Sequence, residues 1–235
     1  ISRQPISRLD ALFHRLSLFY INSGTGRFLR RQGLWYERRQ PIRYALSLGF
    51  LFFFGNNQFL QSISRNLDLR LVRDKRLAPF FDLYKPDLVF TPKITSSMDR
   101  SFLRHAKERG VKTIGMISTW DNITLSKYPF RILPNNLVAY NENIKKEAIE
   151  YLGMPTDSVL VTGMPHYDFY VTSRRSSREA FCAPLGIDPN RRIILFASVG
   201  NIANPTEWQT LSLLVRAFEG NKLPNDAIII FRQHP

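Results

Sequence analysis

An α/β fold built on a parallel sheet is what this sequence predicts, on three observations. After residue 80, short β-branched runs alternate with amphipathic, charge-rich segments. The runs are apolar on both faces, as strands of a sheet covered by helices are. The segments between them provide the crossovers that parallel strands require.

The elements follow in chain order. Strands are predicted at "DLVFTP" (from Asp87), "KTIGMIS" (from Lys112), "NLVAYN" (from Asn136), "SVLVTG" (from Ser158), "RIILFASVG" (from Arg192) and "AIIIFR" (from Ala227). Helices are predicted at "DRSFLRHAKERG", "NENIKKEAIEYLG" and "PTEWQTLSLLVRAFEG". The second is the clearest: Asn141 is placed to cap it, Ile144, Ala148 and Leu152 share a face, and Gly153 stops it. The rhythm breaks at "YVTSRRSSREAFCAPLGIDPNR", a polar and basic stretch ending in a turn at Asp188-Pro189, before a fresh strand begins. Two domains are therefore expected, residues 1–180 and 181–235, with the second only begun. No internal repeat or low-complexity tract is evident.

The 235 residues are 44% hydrophobic and 13% aromatic, enough for one large core or two modest ones. The chain opens at Ile1 and stops just past an apolar run, so both ends are expected to be cut from something longer. The single cysteine, Cys182, excludes an internal disulfide and a multi-cysteine metal site, and is expected to be a buried thiol in a reducing compartment. No Asp-x-Asp pair or His-x-x-x-His appears, so no metal is expected.

The net charge of +14 is uneven: residues 1–80 hold 14 Lys and Arg against 4 Asp and Glu, and residues 81–235 hold 19 against 15. Such a field attracts anions without choosing among them. The segment "GRFLRRQGLWYERRQPIRY" interleaves arginines with Phe28, Leu34, Trp35, Tyr36 and Tyr44, as interfacial segments do. The run "YALSLGFLFFFG", from Tyr44, is about half the roughly 20 residues of a spanning helix. It reads as a core helix, with a monolayer-facing helix as the alternative. No signal-peptide pattern appears.

In open parallel sheets, ligands gather beyond the carboxyl ends of strands, where loops meet helix N-termini. The loop "TPKITSSMD" offers Lys93 and hydroxyls, although Ser and Thr before a helix are ordinary caps. The stretch "ISTWDNIT", Ile117 to Thr124, is denser in chemistry. Thr119, Asn122 and Thr124 offer hydrogen bonds, Trp120 a stacking face, and Asp121 a carboxylate able to accept a proton from an acceptor hydroxyl. Equally, Asp121 could cap a helix while Trp120 fills a gap. Lys127 and Arg131 add positive charge suited to a phosphate or to solvent.

After "SVLVTG", Gly163 permits close approach, Pro165 stiffens the turn, and His166 and Asp168 present polar groups. His166 is a candidate general base or a structural histidine. In "FASVGNIANP", Ser198, Gly200 and Asn201 could offer donors to a diphosphate, although the full phosphate-loop pattern is absent. Arg232 and His234 follow the last strand and suit a leaving diphosphate.

Together, "YKPDLVFTP", "RGVKTIGMISTWDNIT", "NNLVAYNENIKKEAIEYLGMPTDSVLVTGMPHYDFY" and "FRQHP" resemble bacterial GT-B-type glycosyltransferases of envelope polysaccharide synthesis, including relatives of CDP-glycerol glycerophosphotransferases. The resemblance covers roughly residues 80 to 235. It implies two Rossmann-like lobes, the second only partly present, with the acceptor held by the first and a nucleotide-activated donor by the second. It further implies that Thr119, Trp120, Asp121 and Asn122 line a cleft, and that Ser198, Gly200, Asn201, Arg232 and His234 approach the donor's diphosphate.

The expected activity is metal-independent glycosyl transfer from a nucleotide sugar, used as substrate with no cofactor, to a polysaccharide or lipid-linked acceptor, with Asp121 and His234 as catalytic groups. Alternatives are a nucleotide-sugar 2-epimerase, a CDP-glycerol-type polyol phosphate transferase and, outside enzymes, a basic membrane-docking module. The expected location is the cytoplasm, with attachment to the anionic inner face of the membrane through residues 1–80. Nucleic acid is not an expected partner, because recognised RNA- and DNA-binding motifs are missing.

Overall fold

The computed structural model of the chain describes residues 7–125, 130–199 and 206–233. The chain divides into two compact units, residues 1–166 and 167–235. The sequence reading drew its boundary at residue 180.

The first unit opens with helices α1 (Arg8–Ser17), α2 (Gly24–Arg30, continued by a π-helical turn over Arg31–Glu37), α3 (Pro41–Phe54), α4 (Gln58–Leu71) and α5 (Ala78–Tyr84). Local chemistry starts several of them. Ser7, Ser23 and Asn57 each accept a backbone N–H of the first turn of α1, α2 and α4. Pro41 opens α3 at a position whose N–H would have no helical partner.

A parallel sheet follows, β1 (Leu88–Thr91), β2 (Lys112–Met116), β3 (Asn136–Ala139) and β4 (Val159–Val161), in that spatial order. Between its strands lie α6 (Ser97–Glu108) and α7 (Glu142–Leu152). Each of the six sequence-predicted strands and three sequence-predicted helices is present. As expected, Asn141 caps α7 through Ile144 N, at 2.9 Å, and Gly153 ends it in the left-handed conformation.

The sheet departs from expectation in how it is covered. Moving one strand over at each right-handed crossover keeps successive connections on the same side. Accordingly Leu103 of α6 and Ile144, Ala148 and Leu152 of α7 share one buried cluster with Leu137, Ala139 and Val159. On the other face Leu88, Phe90 and Leu160 are exposed, and Ile114, Met116 and Val138 are half-buried. The strands are apolar on both faces, yet among the described residues helices of this unit bury only one.

Residues 1–80 also differ from a merely basic, surface-facing piece. Tyr20 and Ile21 belong to the main core. Of the four acids in this region, Asp10, Asp68 and Asp74 are buried. Asp68 Oδ1 accepts Arg104 Nη2 and Arg131 Nη2, both at 2.7 Å, and its Oδ2 accepts Arg131 Nε at 2.6 Å. Arg131 Nη1 also donates to Asp10 Oδ1, at 2.7 Å. This network ties α1, α4, α6 and the segment before β3 together. Arg131 is therefore a buried structural cation, not a charge offered to phosphate or solvent.

The helix α3 corrects another expectation. It buries only Ser47 and Leu51, whereas Ile42, Leu46, Phe50, Phe52 (81% exposed) and Phe53 (65% exposed) face outward. It is not a core helix of the described unit. Its 14 residues, at 1.5 Å each, extend about 21 Å, short of the roughly 30 Å of bilayer hydrocarbon. Among the described residues, no helix is long and apolar enough to cross a membrane.

The second unit contains short helices α8 (Asp168–Thr172) and α9 (Arg178–Cys182), strand β5 (Arg192–Ala197), helix α10 (Glu207–Glu219) and strand β6 (Ala227–Arg232), which pairs parallel with β5. Cys182 is buried and unbridged. Along β5 and β6, Ile193, Ile194, Ile228 and Ile229 are only half-buried.

Candidate functional site

The stretch Ile117–Thr124 leaves β2 at the carboxyl edge of the first unit's sheet and folds into a polar turn clamped by apolar residues. Ile117 and Ile123 are fully buried at either side, so the chain between them is pushed outward. Asn122, 3% exposed, holds the turn from inside. Its Oδ1 accepts Ser118 N at 3.1 Å, Ser118 Oγ at 3.0 Å and Thr119 N at 3.1 Å, and its Nδ2 donates to Thr119 Oγ1.

This arrangement separates the roles of neighbours that the sequence could only group. Asn122 is a positioning residue, since its amide is occupied within the turn. Trp120 is 72% exposed, which removes the gap-filling alternative. Asp121 is half-buried, and Thr119 Oγ1 donates to its Oδ1 at 2.6 Å. Its carboxylate is thereby anchored within the turn and left partly open to solvent. The turn is closed by Leu125 N donating to Asp121 O at 3.0 Å. Thr124 contributes its carbonyl, which accepts Ser23 Oγ from the start of α2. That contact spans 101 residues, and no local signal marked Ser23 for it.

The other strand ends of this unit are simpler. After β1, Ser96 accepts Asp99 N at 3.0 Å and Asp99 Oδ2 accepts Lys93 N at 2.9 Å, so this loop makes a helix cap. After β4, Gly163 sits at φ +82° and leads to an exposed turn carrying Pro165 and His166. Asp168 starts α8 in the second unit and is exposed. Lys127 lies outside the described residues.

In the second unit the ends of β5 and β6 meet through Ser198 N donating to Arg232 O, at 2.9 Å. Arg232 is exposed. Ser198, expected to offer a donor to a diphosphate, has its hydroxyl engaged within the unit. Its hydroxyl donates to Glu207 Oε2 at 2.7 Å, and Val199 N donates to Glu207 Oε1 at 2.6 Å. Glu207, buried in the first turn of α10, thus occupies donors that an anion would need. An acid in the first turn of a helix after a strand was the available signal for it. Gly200, Asn201 and His234 lie outside the described residues.

Among the described residues, no group of three or more His, Cys, Asp or Glu is placed to hold a metal ion. No family model and no curated protein matches the chain. Among solved structures it is similar to the wall teichoic acid polymerase TagF, in a structure with CDPG. The identity is 12% and the TM-score 0.28, over 76% of this chain and 64% of that one. The chain thus spans less than two thirds of that protein's length, and at this score the likeness assigns neither fold nor function. The fold itself defines the class: an α/β protein with a four-stranded parallel sheet and the Thr119–Asn122 turn at its carboxyl edge.

Proposed function

We propose that the chain is part of a cell-envelope transferase that moves a sugar from a nucleotide-activated donor to a glycan or lipid-linked acceptor. The observation that carries this reading is the Thr119–Asn122 turn, where an anchored carboxylate at Asp121 follows a solvent-facing indole at Trp120 in the chain. It lies at the sheet edge where α/β proteins gather ligands. The indole offers a flat apolar face to a sugar ring. Asp121 accepts the proton of the acceptor hydroxyl as that oxygen bonds to the anomeric carbon. The bond from that carbon to the donor's diphosphate breaks, and its electron pair leaves with the diphosphate. In the second unit, Arg232 is the described cation proposed to meet a diphosphate.

The test is transfer by the full-length protein with a panel of UDP-, GDP- and CDP-linked donors. Asp121→Asn is expected to lower turnover about 100-fold, the low end of general-base contributions. Undiminished turnover removes Asp121 from catalysis. Transfer of a polyol phosphate from a CDP-linked donor would move the assignment to phosphotransfer, and acceptor-free isomerisation would move it to a 2-epimerase.

Peripheral membrane attachment belongs to the same reading. It is supported by the exposed apolar face of α3, which adjoins the arginine-rich segment carrying exposed Phe28, Trp35 and Tyr36. An apolar face beside cations suits the boundary of an anionic bilayer. The expected result is sedimentation with phosphatidylglycerol vesicles that weakens as salt rises. Because each Phe contributes about 1.5–3 kcal/mol on burial, Phe52→Asp with Phe53→Asp should weaken binding more than about tenfold. Unchanged binding by that double variant removes α3 as the docking face.

A further inference from the structure

A cavity of about 220 Å³ opens in the first unit between α4, the end of α6, the segment entering β3 and the end of α7. Lys107, Arg131 and Gly153 on its wall precede β2, β3 and β4, so it sits at the amino edge of the sheet. The Thr119–Asn122 turn lies at the carboxyl edge. The wall carries Gln58, Ser62, Arg65, Asn66, Lys107 and Arg131, and no carboxylate.

Charge around this cavity is unevenly matched. Arg131 is neutralised by Asp68 and Asp10. Arg65 is not: Nε donates to Phe130 O at 3.0 Å, Nη1 to Leu152 O at 2.9 Å and Nη2 to Gln61 Oε1 at 3.0 Å, all neutral acceptors. These three bonds leave part of its donor fork unused. Among the described residues, no hydrogen bond or ion pair engages the Lys107 ammonium.

Burial pulls Arg65 down to about 10, and burial followed by repulsion from Arg65 lowers Lys107. Two partly desolvated cations therefore face a roomy polar cavity without a counter-charge. Desolvated charge is costly until an opposite charge completes it.

We propose that this cavity binds a phosphate-type oxyanion, with Lys107 and Arg65 as its charged partners and Ser62 and Asn66 as neutral donors. A tetrahedral dianion matches two cations plus hydroxyl and amide donors, and charge-assisted hydrogen bonds of this kind are the strong ones. The site requires nothing of the activity at the opposite sheet edge. Its oxyanion comes either from a soluble phosphate or from a lipid headgroup, since α4, the helix that supplies Ser62, Arg65 and Asn66 to the wall, also carries the exposed apolar residues Phe59, Ile63 and Leu67.

The experiment uses the full chain and inorganic phosphate as the probe. Phosphate stabilises proteins generally by exclusion from their surface, so the readout is the difference between wild type and Lys107→Met at matched ionic strength. Wild type should show a saturable rise in Tm with phosphate, and Lys107→Met should show none beyond the general effect. By calorimetry the variant should bind phosphate about tenfold or more weakly, the loss expected for one charge-assisted bond. In chloride it should melt no lower than wild type, because it removes a repelled charge. Lys107→Gln serves as the second variant and should behave alike.

Vesicles carrying phosphatidic acid, compared with phosphatidylglycerol, form the second arm. Binding that depends on Lys107 and on the phosphomonoester headgroup supports the site with a lipid as its source. Phosphate and vesicle responses that are equal in wild type and both Lys107 variants overturn the proposal.

Discussion

Replacing Asp68 by Asn is expected to destabilise the first unit by about 3–5 kcal/mol, the range for breaking a buried ion pair by removing one partner. Asp68 is fully buried and accepts from two guanidinium groups through both of its oxygens. Asn has the same shape but no charge, and its amide nitrogen cannot accept either donor. Arg104 would keep backbone carbonyls, including Asp68 O at 2.8 Å, and Arg131 would keep Asp10. Arg104 would then bond neutral acceptors alone, and Arg131 would rely on Asp10, in a region closed to water. Urea unfolding at pH 7, followed by tryptophan fluorescence, should show a lower midpoint with an unchanged slope. Arg104→Met should cost less in the Asp68→Asn background than in wild type, since the cation is then already short of its partner. A loss below about 1 kcal/mol would show that the network contributes no more than a surface pair does.

Gly115→Val is the second large effect expected. Gly115 lies inside β2, where glycine is unfavourable unless something approaches closely. Here a Cβ would strike Ile94 Cγ2 and come within 2.9 Å of Pro134 Cγ. Both neighbours are buried, and the proline ring is rigid. Valine adds two further methyls on the branched carbon, so the cost is expected at or above the top of the about 1–3 kcal/mol range for overpacking. Gly115→Ala should cost less. Combining it with Ile94→Ala, which removes the struck methyl, should recover part of that loss. A valine variant as stable as wild type would mean that β2 shifts freely against the loop before β3, contrary to the packing described.

The six strands and the helices α6, α7 and α10 were legible because their signals are local. The periods of Ile144, Ala148 and Leu152, the cap at Asn141 and the stop at Gly153 lie within one helix, and the structure reproduces them. The candidate turn was legible as a dense cluster, but the work of each residue in it was not. Asn122 points inward because Ile117 and Ile123 bury the flanks, and Trp120 points outward for the same reason. Glu207 was missed because its partners, Ser198 and Val199, belong to a different element.

By itself the sequence determined the α/β class, the positions of the six strands and of α6, α7 and α10, and the concentration of charge in the first third, since these depend on composition and short-range periodicity. Only the tertiary structure decided where that charge and apolar surface went. It paired Asp10 with Arg131 across 121 residues, left α3 uncovered, covered one sheet face and brought Lys107 near Arg65. Such choices rest on long-range contacts whose energies exist only once distant segments share one desolvated interior.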